Sequence, residues 1–349
     1  MVYVPEVERG RRGTILPPSL KPGDTIGIVS PSWFGGDAFV PRARRGMAQL
    51  QRLGFRVKVA AHAFNNLGHV SDTAENRAAD LHAMFADPEV TAILATIGGD
   101  HSCQLLPLID WNLIRENPKI FMGFSDMTVL NVAIRARTGL VTFNGPALLT
   151  DWAEFPEMPA FSRENALRAI CAPEPMGDLA PSGWWTEEFL DWSTGEDTTR
   201  PRARTPSSGW RWLRGGRAQG PLVGGCLESL QHLRGTPWWP DMTGALLFLE
   251  TSEERPSPED IDGILMDYKN MGVFDRITGL IFARPYGYSD DDRLRLHEVI
   301  VERTARFEFS VLADTDTGHT TPLQTLPVGC NALLDSAANL FAITEAAVR

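Results

Sequence analysis

Short apolar runs alternate with amphipathic stretches along the first 150 residues. The runs Thr25–Pro31, Phe55–Ala60, Val90–Ile97, Lys119–Phe124 and Leu140–Phe143 read as strands. Between them, stretches near Phe39–Leu53, Thr73–Ala86, Cys103–Arg115 and Asp126–Thr138 set apolar residues three and four apart, the period of a helix with one buried face. Strands that are apolar throughout are buried on both faces, so this alternation predicts βαβ units and a parallel sheet covered by helices. Such sheets bind ligands at the carboxyl ends of their strands, which directs attention to the residues just after each run.

The pattern breaks between Pro173 and Gly216, a stretch that holds five prolines and five of the ten tryptophans: Trp184, Trp185, Trp192, Trp210 and Trp212. A long aperiodic segment of this kind is either a functional loop or a plug between two domains, and indoles serve both uses. Periodicity returns after Gly220. Ala245–Leu249, Gly279–Ala283 and Ser310–Ala313 read as buried strands, with Pro258–Asn270 and Asp290–Arg306 as helices; Pro258 followed by Glu259 and Asp260 is a favourable helix start. The chain of 349 residues exceeds what one core comfortably serves. The organisation expected is an N-terminal extension (1–20), an α/β domain (21–150), a linker with the tryptophan-rich loop (151–216) and a second domain (217–349).

A formal charge of −11 argues against a general nucleic-acid binder, which needs clustered positive charge. No apolar stretch reaches the roughly 18 residues of a membrane helix, and residues 1–21 lack a signal-peptide core, so a cytoplasmic protein is expected. Cys103, Cys171, Cys226 and Cys330 are scattered without metal-site or redox spacing and read as reduced.

Candidate chemistry clusters at the strand ends. Lys119–Thr128 reads KIFMGFSDMT, a strand running through Gly123-Phe124-Ser125-Asp126 straight into a helix. A serine on so sharp a turn holds its hydroxyl out at the sheet edge near backbone N–H groups, although Ser-Asp before a helix is more commonly an ordinary N-cap. The G-x-S-x-G pattern of hydrolase elbows is not met, because Met127 stands at its second glycine. Gly98 and Gly99, closing the strand in ATIGGDHSC, allow close approach of a substrate to the backbone, with amides facing it. Glu250 ends the apolar run ALLFLE and needs a partner in the interior. His319 follows Gly318 in ADTDTGHTTP; Asp314 and Asp316 lie nearby, but no second histidine has ligand spacing, so no metal is expected. Ser125, Glu250 and His319 form an allowed triad order, in which serine attacks, histidine relays the proton and glutamate fixes the imidazole tautomer.

Taken together, TIGG, GFSDMT, GPLVGG (Gly220–Gly225), LFLETSEE and GHTTP resemble the LD-carboxypeptidase family of cytoplasmic serine peptidases, over about Leu16 to Thr344. The resemblance implies a parallel α/β amino-terminal domain joined to a smaller, strand-rich α+β carboxy-terminal domain, commonly as a homodimer, without a cofactor. It also implies that Ser125 is the nucleophile, that Glu250 and His319 complete the triad, and that the amides of Gly99 and Asp126 form the oxyanion hole. One branch of the family trims the terminal D-alanine of murein tetrapeptides. Another, the microcin C immunity peptidases, cleaves the amide joining an aminoacyl or peptidyl group to a modified adenylate. The runs WWTEEFLDW and GWRWL are similar to the second branch, where loop indoles stack on adenine; Trp185 and Trp192 are the candidates, with Gly98 and Cys226 as further substrate contacts. Many relatives carry asparagine where this chain has His101, Cys103 and Cys226. The immunity-type amidohydrolase is therefore expected, acting on a small peptide or aminoacyl-nucleotide. A murein carboxypeptidase and a catalytically silent nucleotide- or peptide-binding protein are the alternatives.

Overall fold

The computed structural model describes residues 13–349, so most of the extension expected over residues 1–20 lies outside it. The first unit follows the alternation read from the sequence: β1 (Thr25–Val29), α1 (Gly35–Ala38), α2 (Val40–Arg52), β2 (Arg56–Val59), α3 (Ala74–Ala86), β3 (Val90–Ala95), α4 (Trp111–Glu116), β4 (Ile120–Gly123), α5 (Met127–Thr138) and β5 (Thr142–Asn144). The five strands are parallel, in the order β5-β4-β3-β1-β2. The helix expected over Cys103–Arg115 is broken. A short turn at Ser102–Leu105 ends before Pro107, which lacks the N–H to continue a helix, and Asp110 then caps α4 by accepting from Asn112 and Leu113.

The stretch 151–216 holds more regular structure than its composition indicates: α6 (Ala160–Cys171), β6 (Pro175–Leu179), the hairpin β7 (Trp184–Trp185) and β8 (Thr205–Pro206), and β9 (Arg211–Arg214). There follow β10 (Arg217–Cys226), α7 (Leu227–Leu230), β11 (Leu246–Glu250), α8 (Pro258–Asn270), β12 (Gly279–Ala283), α9 (Asp290–Arg303), β13 (Ser310–Thr315), β14 (Leu326–Val328), β15 (Asn331–Asp335) and β16 (Leu340–Ala346). The start of α8 is as read, with Pro258 in its first turn and Ser257 and Asp260 closing a capping box. The second sheet has eight strands, β6-β16-β15-β10-β11-β12-β13-β9, with β10 to β13 parallel and antiparallel strands on both flanks. Among the described residues no helix is long and apolar enough to cross a membrane.

Two features join the units around one cleft. First, α5 is sandwiched: nine of its twelve residues are buried, and Val129, Leu130 and Ala133 share a core with Val223, Leu227 and Leu247. The Cys226 N–H donates to Thr128 Oγ1 at 2.8 Å, and a side chain on Gly225 would meet that oxygen at 2.3 Å, so only glycine lets β10 dock on the first turn of α5. Second, the chain crosses back after β13, and β14 pairs antiparallel with β5 at the edge of the first sheet. The segment 316–325, which carries His319, is thus held by one sheet at each end. In consequence the carboxyl ends of β3 and β4 come to face those of β11 and β13.

Candidate active site

Ser125 sits between β4 and α5 with a left-handed backbone, φ 60°. For a residue with a Cβ this conformation costs about 1–3 kcal/mol, and it persists because the buried strand and helix fix both ends. Asp126, the cap residue, makes no side-chain bond to the helix. Its fully buried carboxylate accepts from the Ser102 N–H at 2.8 Å, and its carbonyl accepts from Ser102 Oγ. Asp126 therefore ties the turn to the segment after β3 instead of capping α5. Burial pushes its carboxyl pKa up, against these hydrogen bonds.

That neighbouring segment is the Gly98-Gly99 turn. A Cβ on Gly98 would lie 2.7 Å from Ser125 Oγ and 3.3 Å from the Asp126 nitrogen, so the glycine backbone lies directly against the hydroxyl. Gly99 has φ 131°, and a Cβ there would strike Ser32 Oγ at 2.6 Å. Among the described residues the Gly99 and Asp126 amides donate to no backbone carbonyl. Both N–H groups remain available beside Ser125.

Glu250, at the end of β11, is fully buried and accepts from His319 Nδ1 at 2.6 Å. The imidazole lies edge-on to Phe124, with centroids 5.0 Å apart, which sets it beside the residue preceding Ser125. Among the described residues its Nε2 has no aligned hydrogen-bond partner, Ser125 included, while Glu253 Oε2 stands 3.1 Å away as an ion-pair partner. Burial pulls the His319 pKa down. The charges of Glu250 and Glu253 outweigh that effect and hold it well above the ordinary 6.5. In ligand-free enzymes a catalytic serine–histidine hydrogen bond is often unmade and forms only around substrate.

The tryptophans divide. Trp184 and Trp185 form β7, and the next residue, Thr186, exchanges backbone hydrogen bonds with Thr321, two residues beyond His319. Trp184 is covered by Arg204 and lines a cavity of about 250 Å³ with Arg202 and Thr321. Trp185 lies 5.2 Å from the Arg284 guanidinium and lines a second cavity, about 150 Å³, with Ser207 and Asp314. Trp192 is placed elsewhere: Arg42 covers one face at 4.1 Å and Phe39 meets its edge, so it packs the loop onto the first unit. Cys226 is buried, with Sγ toward Glu228, and presents no surface to a ligand. His101 packs edge-on to His69, and Cys103 beside it is half-buried.

Three groups near the site have roles that the sequence did not assign, although Asp316 was noted beside His319. Asp316 is fully buried, and its carboxylate gathers Arg284, Trp210 Nε1 and the Ser182 N–H, which fixes the start of the His319 turn. Thr128 joins the two units, as described above. Glu253 reaches the outer nitrogen of the imidazole. Only Glu253 carried a local signal, its place three residues after Glu250 in a strand-end turn.

The description of the LD-carboxypeptidase N-terminal domain matches residues 26–145, and that of the LD-carboxypeptidase C-terminal domain matches residues 219–334. The chain is 31% identical to the microcin C7 self-immunity protein of Escherichia coli over 95% of this chain and 96% of that one. It is also 31% identical to a probable murein peptide carboxypeptidase of Bacillus subtilis over 95% of each. A mutant of the microcin C7 self-immunity protein in complex with adenosine monophosphate superposes with a TM-score of 0.89 at 30% identity, covering 96% of this chain and all of that one. The same protein in complex with aspartyl sulfamoyl adenosine gives an equal score and coverage.

Proposed function

Because the chain belongs to the LD-carboxypeptidase family and is a serine-type hydrolase of it, we propose that it cleaves the amide joining an aminoacyl or peptidyl group to a modified adenylate, using Ser125, His319 and Glu250. The observation that carries this reading is the 2.6 Å Glu250–His319 pair set against the Phe124-Ser125 turn. Ser125 Oγ attacks the scissile carbonyl while His319 Nε2 takes its proton. The oxyanion that forms is met by the Gly99 and Asp126 N–H groups. The tetrahedral intermediate collapses as His319 returns the proton to the leaving nitrogen. Water, activated by the same imidazole, then releases the acyl group from serine. Glu250 keeps the proton on Nδ1, so that Nε2 is the working nitrogen.

The nucleotide half of the substrate is supported by kinship, since the immunity protein binds adenosine monophosphate and aspartyl sulfamoyl adenosine. It is supported too by the tryptophan hairpin tied to Thr321, on which Trp185 would stack adenine. A second reading, removal of a terminal amino acid from a murein peptide, draws on the Bacillus subtilis relative. Family resemblance further supports a cytoplasmic homodimer. The deciding experiment offers an aminoacyl sulfamoyl adenosine and a murein tetrapeptide in one mixture to wild type and Ser125→Ala, with products followed by mass spectrometry. Serine-dependent loss of the nucleotide conjugate alone upholds the proposal; release of D-alanine alone replaces it with the second reading.

A further inference from the structure

His319 is flanked by two carboxylates, and only one of them is needed to orient it. Glu250 is buried and holds Nδ1. Glu253 rises from the turn after β11, its side chain 63% exposed, and among the described residues its carboxylate forms no ion pair except with His319 Nε2. That nitrogen is buried and, among the described residues, has no partner but the Glu253 carboxylate; in the proposed mechanism it is the nitrogen that must reach the scissile bond. The serine hydroxyl and the leaving nitrogen must each come within about 3 Å of Nε2, so a carboxylate oxygen already 3.1 Å away has to withdraw before a substrate can react. Withdrawal gives up the attraction between Glu253 and the imidazolium. The loss is offset only when the substrate brings a cation within reach of the retreating side chain.

One substrate group meets that condition by construction. In an aminoacyl conjugate the free α-amino group is two bonds from the scissile carbonyl carbon, and with an ordinary pKa of about 8 it is an ammonium at neutral pH. In a peptidyl conjugate the same nitrogen is an uncharged amide. We infer that Glu253 is a specificity-determining residue that selects aminoacyl over peptidyl conjugates, leaving His319 Nε2 to receive the substrate's α-ammonium. The exchange also readies the base, because an imidazole relieved of one carboxylate gives up its proton more easily. The other charges around this point do not supply the missing cation. Glu228 is engaged by Ser252 through its N–H and hydroxyl, and Arg255 and Arg284 are drawn aside to Tyr286 and Asp316.

This inference rests on the proposed function, and the test separates the two. Alanyl sulfamoyl adenosine and its N-acetyl derivative are compared as substrates of wild type, Glu253→Gln and Glu253→Asp. Wild type is expected to favour the free amine, and Glu253→Gln to reduce the ratio of kcat/KM values about ten-fold, with Glu253→Asp retaining most of it. In Glu253→Gln the acid limb of the kcat/KM profile also moves to lower pH, which loss of a merely structural contact would not cause. A free-to-acetylated ratio that Glu253→Gln leaves within two-fold of wild type overturns the inference while the proposed function stands. Failure of wild type to cleave either conjugate overturns both.

Discussion

The Ser125 turn is built from one continuous strand, turn and helix, Ile120–Thr138, whereas the histidine side is assembled from several stretches of chain. Glu250 ends β11, His319 stands in a segment slung between the two sheets, Thr186 pairs with that segment from the tryptophan hairpin, and Asp316 anchors it through Arg284 and Trp210. The first construction is rigid because one buried strand and one buried helix fix the turn at both ends, and the Asp126–Ser102 and Thr128–Cys226 contacts add to that. The second depends on long-range contacts whose loss would displace the imidazole. Substitutions on the two sides should therefore fail differently, by chemistry alone on the serine side and by chemistry together with geometry on the histidine side.

The largest effect is expected at Ser125→Ala. Removing the nucleophile should lower turnover by as much as about 10⁶ while thermal unfolding stays near wild type, since the hydroxyl supports no part of α5. Near-normal rates would exclude serine chemistry at this turn. Glu250→Gln, with a carboxamide in a fully buried place, should cost on the order of 10⁴ in kcat by releasing the tautomer that Glu250 enforces. Retention of kcat within ten-fold would show that the imidazole is oriented by something other than Glu250.

The tryptophan-rich loop gives the comparison an energetic test away from the chemistry. Asp197 in that loop accepts from both Arg42 and Arg45 of α2, and the Asp197 and Arg42 side chains are each only 5% exposed. Asp197→Asn removes the carboxylate that both guanidinium groups share, while the charge of Glu154 still acts on Arg42, for an expected loss of roughly 3 kcal/mol by chemical denaturation. An unfolding free energy unchanged by the substitution would mean that the Asp197 ion pairs contribute nothing to holding the loop on α2.

What could be read from the sequence follows the same division. Period and apolar runs located β1, β3, β4, α5, β11 and α8, and with them Ser125, the Gly98-Gly99 turn and Glu250, because each lies where a strand ends. Long-range pairings left no such trace. Leu326–Val328 carries no mark that it returns to β5, and the α6 and β6 segments were obscured by prolines and by weak periodicity in residues 151–179. Trp185 and Trp192 looked alike in composition, yet Trp185 lines a cavity with Arg284 5.2 Å from its ring, whereas Trp192 is closed over by Arg42 at 4.1 Å and by Phe39. Side-chain identity announces what an indole can do. Only tertiary contacts decide which indole is free to do it.

The pH dependence sharpens the contrast at smaller scale. A general base works unprotonated, and two carboxylates hold the His319 proton on to a pH well above 6.5. In the free enzyme kcat/KM should thus rise about ten-fold per pH unit through neutrality and level off only on the alkaline side. An acid limb at or below pH 6.5, measured with a substrate whose own charge is constant, would mean that the carboxylates do not act on the histidine as the geometry requires.

The smallest expected effect distinguishes the two candidate indoles. If adenine stacks on Trp185, Trp185→Ala should raise KM for an aminoacyl sulfamoyl adenosine about ten-fold with kcat nearly unchanged, because stacking of one base is worth roughly 1–3 kcal/mol and is felt alike in ground and transition states. Trp192→Ala should leave KM within about two-fold and lower stability instead, since its ring lies under Arg42 and against Phe39. The reverse outcome, a KM effect confined to Trp192, would require the loop to turn that ring outward on binding. It would also remove Trp192 from beneath Arg42 and from the edge of Phe39, the contacts that the stability effect measures.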